Sequence, residues 1–307
     1  MKKPLCALFS LLVIVAASCR QPNLTPAYLE ITYDDINNCV DMSNYNETHP
    51  GENHDEEELA AFQQHNFTHV NVYVSGKNLG CWQVPCKVPV LDVSAEDTST
   101  VVILPAFRKT GMTNTIQGYP FFNVLQKKLP LRPGETYRIS DDPLSFIYSP
   151  YAVCPYIETF SNSSSFTPTD TTNPITFLPG TCDGRTAGVI SLSTDCDFDI
   201  ISPSITLPAR NYFIYLEITY KIDAEMEVGV KISTAQSPNA VYPLGGMYAT
   251  DGEWKTIYFD LASLISSYHH TGGGATSASI VLTGYGDKNK SINYYIDNIK
   301  IIYQPSA

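Results

Sequence analysis

From residue 27 to residue 303 the chain is cut by proline, glycine and asparagine into short runs in which apolar and polar side chains alternate. A period of two puts one face of each run on a core and the other in water, so these runs predict strands and not helices. In the first half they are Ala27–Tyr33, His69–Val74, Leu79–Val84, Thr98–Leu104, Asn123–Leu131 and Thr136–Ile139, with Ser75-Gly76-Lys77-Asn78 and Arg132-Pro133-Gly134-Glu135 as turns. In the second half they are Gly188–Ser193, Tyr212–Ile222, Glu227–Ser233, Trp254–Asp260, Ser279–Leu282 and Asn293–Tyr303, with a short helical stretch at Leu261–Tyr268. The fold class expected is all-β.

Composition agrees. Twenty tyrosines and 13 phenylalanines suit pleated sheets, and 21 prolines suit turns and strand edges. The short strands of the first half describe a sandwich of immunoglobulin type over residues 27–140. Residues 141–155, with Asp141-Asp142-Pro143, are expected to be a linker into a second unit over 156–307. The chain is acidic, with a formal charge of −12, and such a field opposes nucleic acid and anionic lipid head groups alike. No nucleic acid is expected as a partner.

Residues 34–66 interrupt the strand pattern. Asn53-His54-Asp55-Glu56-Glu57-Glu58-Leu59-Ala60-Ala61-Phe62 predicts a short helix with an asparagine cap and acids in its first turn, where the helix dipole favours them. His49, His54, Asp55, Glu56, His65 and His69 invite a metal reading. However, Val70-Asn71-Val72-Tyr73-Val74 alternates as a strand, so His69 is extended and shares no helical face with His65. The insertion is read as a solvated acidic loop.

The first nineteen residues set the address. Lys2-Lys3, an apolar run from Leu5 to Ala17 and the exit Ala16-Ala17-Ser18-Cys19 form a secretory leader too short to span a bilayer. The exit resembles the lipobox of bacterial lipoproteins. That resemblance implies cleavage after residue 18, lipidation of Cys19 and a tether over 19–26. Without the leader, 17 basic residues face 31 acidic ones, so membrane attachment falls to the acyl chains. The tether carries no acidic residue, which tilts the expectation to the periplasmic face of an outer membrane over the cell surface. Cys39, Cys81, Cys86, Cys154, Cys182 and Cys196 then remain, an even set suited to disulfides in an oxidising compartment. Six cysteines allow fifteen pairings; local bridges would join Cys81 or Cys86 with each other or with Cys39, and Cys182 with Cys196.

A wider resemblance covers most of the mature chain. The Val-Tyr-Val-x-Gly-x-x-Leu-Gly hairpin, Val88-Pro89-Val90-Leu91, Gly111-Met112-Thr113-Asn114-Thr115, Tyr119-Pro120-Phe121 and the Leu-x-Pro-Gly-Glu turn resemble two-domain β-sandwich lipoproteins of the Bacteroidota. Asp251–Leu261 and Tyr294–Ile301 resemble the galactose-binding-like jelly roll of carbohydrate-binding modules. This resemblance implies a structural calcium, for which Glu158 and Asp297 are the candidates, against the plainer role of capping turns or meeting a basic side chain. Trp254 is read as core and not as a sugar platform.

No nucleophile elbow, His-Glu-x-x-His helix, P-loop, dinucleotide fingerprint or EF-hand loop occurs, and Gly272-Gly273-Gly274 lacks the Lys-Ser/Thr of a phosphate cradle. A glycosidase needs two carboxylates about 5–9 Å apart, but no segment singles out such a pair. The chain is therefore read as non-catalytic: an accessory or adaptor subunit of an outer-membrane protein complex, or alternatively a glycan-binding lipoprotein. The second reading needs exposed aromatics, for which Trp82, Tyr242, Tyr248, Tyr268 and Tyr285 are the candidates.

Overall fold

A computed structural model describes residues 25–94, 96–112, 114–172, 174–193, 195–207, 211–232, 240–269 and 276–305. Cys19, the leader and the Gly272-Gly273-Gly274 loop lie outside these. Eight strands build the first half: β1 (Ala27–Ile31), β2 (His69–Val74), β3 (Lys77–Gln83), β4 (Cys86–Val90), β5 (Ser99–Arg108), β6 (Ile116–Gly118), β7 (Gln126–Leu129) and β8 (Thr136–Arg138). They form a sheet β4-β1-β8 and a sheet β3-β2-β5-β6, with β7 also on β5. β1 runs antiparallel to β4 and parallel to β8. Its alternation is what the sequence requires: Ala27, Leu29 and Ile31 are buried, and Tyr28 and Glu30 are not.

The second half contributes β9 (Val153–Glu158), β10 (Thr167–Pro168), β11 (Leu178–Cys182), β12 (Arg185–Leu192), β13 (Asp197–Ile201), β14 (Ile205–Leu207), β15 (Asn211–Ile222), β16 (Met226–Ile232), β17 (Ala240–Met247), β18 (Lys255–Asp260), β19 (Thr276–Tyr285) and β20 (Ile292–Pro305). One sheet runs β10-β13-β19-β16-β17 and the other β11-β12-β20-β15-β18, with β14 and β9 on their central strands. The chain crosses repeatedly between these sheets, as in a jelly roll. Their facing sides enclose an aliphatic core of Ile218, Ile222, Val228, Ile280 and Ile299. The all-β sandwich expectation holds in both halves.

Three expectations for the first half are corrected. Residues 34–66 are no solvated loop. They fold into α1 (Asp34–Asn37), α2 (Tyr45–Thr48) and α3 (Glu56–Gln63), and bury Ile36, Val40, Met42, Tyr45 and Phe62 in the first core. Most of the acids are exposed, while these apolar side chains, irregularly spaced between them, face inward; Asp35 is buried and bonds Thr32. The cap of α3 is Asp55 and not Asn53: its carboxylate accepts from Glu58 N at 2.9 Å, and Glu58 reaches back to Asp55 N, closing a capping box. Nor is 141–155 an exposed linker, because Leu144, Phe146, Tyr148, Ala152 and Cys154 are all buried against the insertion and the first sandwich.

Candidate functional site

β15 is buried on both faces. Leu216, Ile218 and Tyr220 enter the second core, while Tyr215, Glu217 and Thr219 point the other way and are covered by the first half of the chain. Tyr258 of β18 and Ile302 of β20 join Tyr215 in the first core. Phe107 at the end of β5 meets them, 4.3 Å from the Tyr258 ring and 5.2 Å from the Tyr215 ring. The two sandwiches thus share a continuous aromatic seam.

A buried polar cluster lies within that seam. Glu217 accepts from Tyr119 Oη at 2.7 Å, and Lys300 Nζ of β20 stands 3.3 Å from its other oxygen. Lys300 also donates to the carbonyls of Ala61, Phe62 and Gln64, each at 3.5 Å. An ammonium at the carbonyl end of α3 meets both unpaired acceptors and the negative end of the helix dipole. His65 Nε2 and Tyr148 Oη share a hydrogen bond at 3.1 Å, and His65 Nδ1 lies 3.8 Å from Glu217. Burial pushes the Glu217 carboxyl up, against the pull of Lys300, and holds His65 well below the usual imidazole range.

This clamp fixes one wall of an open cleft of 520 Å³ between the two halves. Tyr33 precedes the insertion, and Asn37, Asn38, Gln63, Gln64 and Asn66 come from it; Arg185, Thr219, Trp254 and Thr256 come from the second sandwich. Asn37 is spent on structure, accepting from Phe67 N at 2.6 Å and donating to the carbonyls of Tyr33 and Phe67. Tyr33 donates to Asn66 Oδ1 at 2.8 Å. The Arg185 guanidinium stands 5.4 Å from the Trp254 ring centroid and donates to Gln64 at 3.2 Å and to Asp297 at 3.0 Å. Trp254 Nε1 donates to Asp183 at 3.2 Å. No carboxylate lines the cleft among the described residues. Planar amides, hydroxyls, one guanidinium, the rings of Tyr33 and Trp254 and the buried His65 make a wall that hydrogen-bonds and stacks.

The residues singled out from sequence lie elsewhere, with two exceptions, His65 and Trp254. Trp254, read as core, is only part-buried and lines the cleft, which corrects that reading. Trp82 is half-buried against the first core, its Nε1 donating to Leu79 O at 3.0 Å. Tyr242 packs on the second core. Tyr248 is exposed, and Tyr285 donates to Glu227 at 3.0 Å. These two share one sheet end with β16 between them, far from Trp82 in chain topology. The side chain of Tyr268 is not among those described. The structure therefore does not gather the four described ones into one platform. Tyr33, Gln64, Asn66 and Arg185 went unnoticed because nothing in their local sequence marks them; they meet only through the union of the halves.

Glu158 accepts from the backbone of Phe160 at 2.8 Å and of Ser165 at 2.7 Å and from the Ser165 hydroxyl, so it closes the loop after β9. Asp297 pairs with Arg185. The two carboxylates thus meet separate partners, and no group of three or more metal-ligating side chains occurs among the described residues. No disulfide joins Cys39, Cys81, Cys86, Cys154, Cys182 and Cys196. Cys39 Sγ instead donates to Asp35 O, and burial pushes its thiol up to about 12. The expected local bridge between Cys182 and Cys196 is not formed.

No protein-family model matches the chain, and no curated protein matches it. Among solved structures it is similar to a mutant of a family 29 carbohydrate-binding module, at 9% identity over 50% of this chain and 91% of that one, with a TM-score of 0.30. It is likewise similar to a family 29 carbohydrate-binding module from Piromyces equi, at 16% identity over 50% of this chain and 90% of that one, with a TM-score of 0.30.

Proposed function

We propose that this chain is a non-catalytic glycan-binding lipoprotein of the outer membrane, with the cleft between the sandwiches as its binding site. The observation that carries the reading is the lining of that cleft: carboxamides, hydroxyls, Arg185, Tyr33 and Trp254, with no carboxylate. Sugars present hydroxyl rims and apolar C–H faces, which planar polar groups and aromatic rings respectively satisfy. Its volume lies in the range of small-ligand sites. Lipidation and the lack of a catalytic motif are equally expected of an adaptor subunit. The polar, aromatic cleft is what favours glycan binding, since a protein-docking face is flatter and more apolar at its centre.

The test is a polysaccharide and oligosaccharide array probed with the intact mature chain and with Trp254→Ala. Wild type is expected to bind at least one neutral glycan, and Trp254→Ala to weaken it tenfold or more, about 1.4 kcal/mol. Trp254 is only part-buried, so the fold tolerates its loss. An array without signal, or a signal indifferent to Trp254→Ala, rejects the cleft as the site.

A further inference from the structure

A second hollow of 310 Å³ lies against the same helix as the cleft. Glu57, Ala60, Ala61 and Gln64 of α3 and its exit form one side of it; Gly184, Thr186 and Asp297 form the other. Ala60, Gln64 and Arg185 line both hollows. The helix period explains this: positions 57, 60, 61 and 64 make one stripe along α3, and Ala60 is the small, exposed residue at its middle. Arg185 lies across the junction, held by Gln64 on the helix side and Asp297 on the sheet side through a single guanidinium nitrogen. Its remaining donors have no acceptor among the described residues.

Resting on the glycan reading above, we propose that the two hollows are one groove that takes a neutral linear oligosaccharide, with Arg185 as the bar at its centre. A planar fork with one prong fixed and the other free suits two adjacent hydroxyls of a sugar ring. Two hollows side by side across the shared edge of Ala60, Gln64 and Arg185 suit a chain of linked rings better than a single ring. Charge selects the ligand class: the first hollow holds no carboxylate, but the second carries Glu57 and Asp297, and the chain has a net charge of −12. A polyuronate laid through both would meet like charge.

The experiment is calorimetric titration of the intact mature chain with neutral β-linked gluco- and manno-oligosaccharides graded from one residue to six, with a galacturonate series as anionic control. Affinity is expected to rise at least tenfold from the disaccharide to the longest member and to stay low throughout the anionic series. Two exposed positions give blocking variants that leave the cores untouched. Ala60→Trp fills the junction, and Thr186→Trp fills the second hollow alone. Thr186→Trp is expected to remove the gain with length while leaving the disaccharide affinity within twofold, and Ala60→Trp to weaken every length. Length-independent binding by wild type, or equal loss at all lengths in Thr186→Trp, overturns the groove and leaves glycan binding standing. Binding of none of the probes overturns both.

Discussion

The imidazole of His65 is fully buried. Its ring stacks on Phe67 at 4.6 Å, its Nε2 meets Tyr148, and the charged groups facing it are Glu217 and Lys300. Burial, reinforced by the Lys300 ammonium, keeps it neutral when folded, with a pKa well below 6.5. Below pH 6.5 the unfolded chain therefore binds a proton at this residue that the folded chain does not. The sign follows: stability is full above pH 6.5 and falls as pH drops from there towards the depressed folded value. His65→Gln keeps a partner for Tyr148 and removes the titration. Melting temperatures of both proteins between pH 7 and pH 5 are expected to diverge, wild type losing up to about 1.4 kcal/mol per pH unit more than the variant. Parallel curves would show that His65 charges freely in the fold.

Lys300 works at the scale of elements, because it ties β20 of one sandwich to the carbonyl end of α3 in the insertion that packs on the other. Both it and Glu217 are 1% exposed, so removing one partner strands the other in low dielectric. Lys300→Met is expected to cost about 3–5 kcal/mol in urea unfolding, and Lys300→Met with Glu217→Leu to recover part of that loss. A double variant no more stable than the single would mean that the helix carbonyls, and not Glu217, are what Lys300 serves. Elements were legible where their side chains alternate against one core. β1, β2 and β16 stand within a few residues of where the pattern puts them. β17 did not show, because Pro243, Gly245 and Gly246 read as a turn; the strand lies at a sheet edge, where proline is tolerated. Glu217, the one charge amid Ile214–Tyr220, was a visible irregularity in a strand apolar on both faces. Only a partner covering the outer face explains it, and the sequence does not name that partner. The cleft escaped for the same reason.

At the scale of the whole molecule, β1 gives the structure a direction. Its first residue, Ala27, follows Cys19 by a short tether, and Pro26 O there accepts from Gly134 N at 2.9 Å, in the turn before β8. Its last residue, Ile31, leads within two positions to Tyr33 in the cleft wall. Four steps of strand separate its two ends by about 13 Å, so tether and cleft lie towards opposite ends of the first sandwich. If Cys19 carries acyl chains, as the leader's exit implies, the bilayer meets the Ala27 end and the cleft opens away from it, where a long polysaccharide has access. The mature protein is expected to show the mass of an acylated Cys19, and vesicle-bound protein to bind a polymeric glycan as tightly as soluble Cys19→Ser does, within about twofold. An unmodified Cys19 removes the anchor from this picture. Binding to oligosaccharide but not to polymer on vesicles, with both bound in solution, would mean that the cleft faces the membrane.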